Sequence, residues 1–461
     1  MPEILNKVQY EKGRSYDYDR SADNSSYLDV IILPQSHNDP GWLMPFEAYY
    51  KNKTVNILDN TVKYLTMYSK MTMIWPEVIF LDRWWREAST DSRQTLKALI
   101  ESGRLEIVSG GWVSPDEATS HYYTVLDQLI EGHQWLRKNI GVQPVNTWPL
   151  DQFGYSSSLP YIWKKAGMNN LGIMRVTQNV KSYFARHKIM NFRWRQPWDL
   201  NGDNDILCYV EPYRWFVTDV SCGPSTVICN SLLFHKKSER TTMPMLNRIS
   251  ENLVEQFKLK ASLNKQKVIV VALGNDFAYD TVKEWRAQYN NVTALINYVN
   301  DRKSQFGVTM RFGTVKDYFN TIRHLQETDS YKTLSGDFFT YAEDDMGTEY
   351  WSGYFTTRAF DKRIGRTLME HVRSAEILTA FALSRTDKGS DDEMVVSMLK
   401  ELEYARQALA LFQHHDAITG TSTHSTATDY RKRLHIALIS CGRIMTHTIR
   451  KSFSQRHNST T

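Results

Sequence analysis

Cysteine is scarce: the 461 residues contain four, too few to build a disulfide scaffold. Cys222 and Cys229 enclose a short loop with Gly223 and Pro224 and can close one local bridge, while Cys208 and Cys441 read as unpaired or buried. Apolar runs long enough to span a bilayer are absent. The N-terminus is polar and charged through Asp29 and carries no signal-type segment, so the chain is read either as cytosolic or as lacking its targeting segment. Long basic blocks are missing too. A net charge of +5 with acidic residues interspersed argues against a nucleic-acid partner. There is no internal repeat and no low-complexity tract.

Aromatic residues are plentiful. Thirteen Trp and 25 Tyr suit either a Trp-rich core or a site that lays flat apolar faces beside polar groups, as carbohydrate sites do. Hydrophobic content of 41% and charge of 23% are those of a folded protein large enough for more than one domain. Asn-x-Ser/Thr triplets at Asn24, Asn52, Asn291 and Asn458 are compatible with a secretory lumen.

Through the first three quarters, short β-rich runs alternate with amphipathic segments, the pattern of a parallel α/β architecture. Strands are expected at 28–33, 71–75, 105–109, 145–150, 170–175, 267–273 and 308–312, with Pro34 ending the first. Helices are expected at 54–67, 92–101, 122–138 and 281–299, and 178–260 reads as a polar, irregular excursion over one rim. Long helical periodicity at 361–381, 391–413 and 424–450 suggests a separate bundle packed on the α/β part.

Several expected strands end in groups that apolar packing does not require. Ser36-His37-Asn38-Asp39-Pro40-Gly41-Trp42 follows the first strand; Gly110-Gly111-Trp112 and Asp116-Glu117 follow the third. Asp151 and Phe153-Gly154 follow the fourth, and Asn275-Asp276-Phe277 the sixth. In a parallel sheet all strand C-termini share one rim, so these groups would converge on one cleft. Two carboxylates across a cleft are the minimum for cutting a glycosidic bond. His37, Asp39 and Asp151 offer the nitrogen and carboxylate oxygen that suit zinc, and His414 or His415 can supply a fourth ligand. The plainer readings are a loop carboxylate for Asp116 and helix C-terminal capping for His414-His415. His121, His133 and His371 have no comparable setting.

Pro34–Trp42, Gly110–Glu117, Asp151–Ser156, Leu273–Phe277, Tyr350–Phe355 and Gln413–Thr421 together resemble the ordered motifs of glycoside hydrolase family 38, the α-mannosidases, in its Golgi branch. The resemblance implies an α/β fold, a mostly parallel, irregular barrel of the seven-stranded type at 28–345, after a polar extension at 1–27. A helical bundle at 346–461 would contribute to the metal site. It implies one Zn2+ per chain held by His37, Asp39, Asp151 and His415, with Asp151 the nucleophile and Asp276 the acid/base. Trp42, Phe153, Arg175, Trp351, Tyr354, His414 and Asp416 would contact the substrate. The implied activity is a retaining exo-α-mannosidase acting on α-1,3/α-1,6-linked mannose of N-glycans in the Golgi lumen.

The chain departs from the family pattern at Gln152 and Tyr155, where Pro and His are usual, and at Asn275, where a second Asp is common. Glu343–Gly347 is one residue longer than the Golgi pattern. The family continues into a β-rich C-terminal region, and on the sequence given the chain is expected to stop before it. An alternative expectation is therefore a weak or inactive paralogue that binds mannose glycans or a partner chain, including one supplying that region. A different zinc hydrolase, such as a carbohydrate deacetylase, would need an open metal position for water.

Overall fold

The structure, a computed structural model, describes Tyr16, Tyr18 and residues 27–234, 242–325, 331–343, 349–384 and 393–458. The triplet at Asn24, the expected boundary at 345 and most of the 343–347 segment lie outside these. Ten strands occur among the described residues: β1 (Leu28–His37), β2 (Met73–Trp75), β3 (Leu105–Ile107), β4 (Asn146–Thr147), β5 (Asn170–Ile173), β6 (Asn191–Arg195), β7 (Ile206–Val210), β8 (Val268–Asp276), β9 (Val308–Phe312) and β10 (Thr333–Ser335). They form two five-stranded sheets, β3-β2-β1-β8 with β9 also on β1, and β10-β6-β7-β5-β4. Ser109 N donates to Asn146 O at 2.8 Å and links the edges of the two.

β1 and β8 are apolar on both faces because sheet and flanking helices cover both, as parallel sheets require. Their register runs from Asp29 opposite Val268 to His37 opposite Asp276. The expected end of β1 at Pro34 is corrected, since the strand continues to His37. Asp29 N bonds toward β8 and Leu28 N toward β9, so alternation turns the Pro34 nitrogen to the β9 edge. β9 ends at Phe312, and no ladder bond is lost there.

The excursion at 178–260 is also corrected. It holds helices Gln178–Arg186 and Met243–Ala261 and the antiparallel pair β6–β7. β7 lies within the second sheet between β5 and β6. Bidentate pairing of Arg195 with Asp205, at 2.9 and 2.8 Å, clamps the connection between β6 and β7. Below it, Lys260 Nζ sits 2.9 Å from both oxygens of Glu211 and 2.8 Å from Ser221 O. Both side chains are fully buried. Burial pushes the Lys260 ammonium down, and Glu211 opposes it. Cys222 and Cys229 are bridged, and Cys208 and Cys441 are free and buried.

The C-terminal helices are Ala359–Leu383, Glu393–Phe412 and His424–Asn458. Arg431 clamps the third to the first through both oxygens of Asp361, at 2.6 and 2.8 Å. Arg406 Nε joins the second to helix Tyr122–Asn139 through Glu131, at 3.1 Å. Tyr430 Oη lies 3.0 Å from Pro40 O and 2.8 Å from Gly41 O, so the helical part holds the loop after β1. Gly41 has φ +114°, and a Cβ there would lie 2.2 Å from Tyr430 Oη, so only glycine fits beneath the ring. No helix among the described residues is long and apolar enough to cross a membrane.

Lys260→Met should destabilise the chain by about 3–5 kcal/mol because Glu211 is left buried without a counter-charge. Chemical denaturation measures this, and replacing Glu211 with Leu in the same chain should recover most of the loss.

Candidate metal centre and active site

Three chain segments meet at the strand ends. The end of β1 brings His37 and the loop after it Asp39, the segment after β4 brings Asp151, and the turn after helix Glu393–Phe412 brings His415. One ligand atom from each lies within 4.8 Å of the others. His37 Nε2 is 2.8 Å from Asp39 Oδ1 and 3.6 Å from Asp151 Oδ2. His415 Nε2 is 3.2 Å from Asp39 Oδ1 and 3.3 Å from Asp151 Oδ2.

The turn is placed by backbone pairing between Pro115 and His414 and by Asp116 N donating to Gln413 O at 2.9 Å. Capping is not the role of the two histidines. His415 Nδ1 lies 3.0 Å from Ser114 O, which makes Nδ1 the protonated nitrogen and leaves the Nε2 lone pair for a metal. His415 Nε2 is buried with no hydrogen-bond partner. That orphaned atom between two carboxylates fits a divalent cation. Asp39, His414, His415 and Asp416 form an overlapping set, but His415 has one free nitrogen, so the geometry accommodates one ion.

Electrostatics point the same way. Burial alone would push the His37 imidazolium down, but Asp39 and Asp151 outweigh it and hold its pKa up to about 10. Against the opposing effect of burial, Asp151 is held well below the usual carboxylate range by Arg175 and His415. Two carboxylates that pull so strongly on the imidazoles between them mark a place where positive charge is favoured.

Asp151 divides its oxygens. Oδ1 accepts from Arg175 Nε at 2.9 Å and Nη2 at 2.5 Å, while Oδ2 faces the histidines. The Arg175 guanidinium lies 5.3 Å from the Phe153 ring centre, 4.9 Å from Trp351, 4.4 Å from Trp215 and 5.9 Å from Tyr341. Phe153 meets Trp351, Tyr354 and His415 edge-on at 5.1, 5.3 and 6.0 Å, and Tyr354 Oη donates to Phe153 O at 2.8 Å. His414 Nε2 is 3.5 Å from Asp416 Oδ2, and Thr421 Oγ1 donates to the other Asp416 oxygen at 2.6 Å. Trp42 is half-buried, and its carbonyl accepts from Thr423 N at 2.9 Å.

Asp276 ends β8 opposite His37 and lines the same cleft as His37, Asp151 and Trp215. Its tip reaches solvent, but the cleft walls dominate by desolvation. They push its pKa up to about 6 against the pull of His37, with Asp39 and Asp151 adding to the rise. Asp116 fills the loop role, with Oδ2 accepting from Thr119 N and Oγ1, both at 2.6 Å.

Trp215, Tyr341 and Glu77 were not expected. Glu77 is buried beside the cleft, accepts from Ser114 Oγ at 3.0 Å, and is pushed up to about 7 chiefly by burial. Its signal was weak, a lone acid between two apolar runs. Trp215 was visible only as one of three tryptophans in the excursion.

The family model for glycosyl hydrolases family 38, N-terminal domain, matches residues 27–344. The chain belongs to glycoside hydrolase family 38. The alpha mannosidase middle domain matches 349–451. The chain is 40% identical to human alpha-mannosidase 2 over 449 residues, covering 93% of this chain and 39% of that protein. It is 36% identical to alpha-mannosidase 2 of Drosophila melanogaster over 455 residues, 95% of this chain and 40% of that one. The chain thus spans about two-fifths of the length of these family 38 relatives. An alpha-mannosidase structure from Enterococcus faecalis shares the fold with TM-score 0.67 at 17% identity, covering 92% of this chain and 43% of the other.

His415→Ala should weaken zinc binding by more than the roughly 10–100-fold typical of losing an outer-shell partner, while the fold survives. Titration calorimetry on metal-stripped protein measures this, with one zinc per chain expected for the unaltered protein.

Proposed function

We propose that the chain is the catalytic part of a retaining exo-α-mannosidase that removes α-1,3- and α-1,6-linked mannose from N-glycans in the Golgi lumen. The observation that carries this reading is the division of Asp151, with Oδ1 on Arg175 and Oδ2 on the ligand cluster, facing a cleft that also holds Asp276. Zinc on His37, Asp39, Asp151 and His415, when bound, would supply a Lewis-acidic anchor for sugar hydroxyls. Within the same reading, 28–345 is the catalytic domain, with its parallel strands as an irregular barrel, and 346–461 is the bundle that delivers His415.

Arg175 keeps Asp151 ionised and fixes its direction of attack. The carboxylate adds to the anomeric carbon as the glycosidic oxygen departs, forming a glycosyl ester. Asp276 gives its proton to the departing oxygen, then takes one from the water that cleaves the ester. A carboxyl with its pKa near 6 can do both. Phe153, Trp351, Tyr354, Trp42, His414 and Asp416 would surround the mannose, with apolar ring faces against C–H groups and polar atoms toward hydroxyls.

The second reading, a mannose-binding chain with little turnover, is favoured by Asn275. Its Oδ1 accepts from Asp276 N at 2.8 Å and places an amide where a neighbouring carboxylate would raise the acid's pKa further.

Turnover of an aryl α-mannoside tests the proposal. The unaltered chain should cleave it, and Asp151→Asn should lose roughly ten-thousand-fold or more, the scale of removing a covalent nucleophile. Zinc binding without turnover would support the second reading. For substrates with poor leaving groups the rate should fall as pH rises through the Asp276 pKa, because the protonated form is the acid. The loss should approach about tenfold per pH unit, and Asp276→Asn should flatten the profile.

A further inference from the structure

Tyr155 is almost wholly buried, four residues beyond Asp151. Its hydroxyl donates to Leu150 O at 2.9 Å and accepts from Met174 N at 3.0 Å and Arg175 N at 3.3 Å. A phenol has one proton and two lone pairs, so this group is fully used, and all of it is spent on backbone. The main chain of the same turn is fixed from another side, where Phe338 N donates to Tyr155 O at 2.9 Å.

The two segments joined by the hydroxyl carry the two partners of the Arg175–Asp151 ion pair. Leu150 immediately precedes Asp151, and the Arg175 amide belongs to the residue whose guanidinium holds Asp151 Oδ1. A closed circuit results: Leu150 O, the Tyr155 hydroxyl, the Arg175 amide, the Arg175 guanidinium, the Asp151 carboxylate, and back along one peptide to Leu150. We propose that Tyr155 is a positioning residue that fixes Asp151 Oδ2 toward the His37–His415 cluster and the cleft. The proposal rests on the reading of Asp151 as both metal ligand and nucleophile.

Angular placement is what such a circuit controls. Without the hydroxyl, the end of β4 and the end of β5 lose their shared anchor just where β4 has run out of ladder bonds. The arginine then still pairs with Asp151 but no longer dictates where its other oxygen points.

The test compares Tyr155→Phe with Tyr318→Phe. Tyr318 is also fully buried and loses one bond, to Asn191 Oδ1 at 3.0 Å, without touching this circuit. Zinc affinity is read by chelator competition, and kcat and KM on an aryl α-mannoside. Tyr155→Phe is expected to weaken zinc binding roughly 10–100-fold, the range for outer-shell partners, and to lower kcat at least about tenfold with little change in KM. Tyr318→Phe should leave both near the unaltered values. If the two variants match in zinc affinity and kcat, the hydroxyl only supports the fold and the proposal is overturned. If the unaltered chain binds zinc but never turns over, the mannosidase reading fails while the affinity comparison still decides the role of Tyr155.

Discussion

Asp39 and Asp151 present their carboxylates to the same imidazole nitrogen, and everything around them answers that concentration of negative charge. Oxygens from the two lie within 4.8 Å of each other, a repulsion of roughly 3–4 kcal/mol at an effective dielectric of about 20. Asp39 is almost fully buried, so water cannot screen it. Arg175 neutralises part of Asp151. The rest favours a cation beside His37 and His415, and the unpaired ring nitrogen of His415 lies next to both carboxylates, ready to ligate it.

Holding such a cluster together takes elements far apart in sequence. β1 ends at His37 and leads directly to Asp39, beyond its last apolar residue, and the Pro34 nitrogen faces an edge that asks nothing of it. The helical part then does more than cover the sheet. Tyr430 clamps the carbonyls of Pro40 and Gly41, the turn at 413–415 pairs with the loop at 114–116, and Ser114 O sets the tautomer of His415. The metal set is therefore complete only when the two parts pack together, which couples assembly of the site to that contact.

The residues of the candidate site are legible in the sequence because they stand where packing has no use for them. His37, Asp39, Asp151 and Asp276 each stand at or just beyond the end of an apolar run; the structure gathers the first three with His415 and lines one cleft with His37, Asp151 and Asp276. The seven expected strands all exist, though β4 shrinks to two residues. The excursion was misread because its apolar residues are diluted by charge. Phe192 and Trp194 alternate with Asn191, Arg193 and Arg195 along β6, and Leu246, Ile249, Leu253 and Phe257 recur at helical spacing in Met243–Ala261. Both periodicities were present in the letters. The walls of the site were harder. Trp215 and Tyr341 act by ring contact with Arg175, which no local pattern encodes, and the role of Tyr155 exists only once β4 and β5 lie side by side.

The proposed mechanism requires Asp151 to be the group that bonds to the sugar. Inactivating the chain with a fluorinated α-mannosyl donor that forms the ester but hydrolyses slowly, then mapping the adduct by peptide mass spectrometry, tests this directly. One fluoromannosyl residue per chain is expected, on the peptide containing Asp151. A label on Asp276, or turnover of the donor with no adduct and inverted configuration in the product, would contradict it.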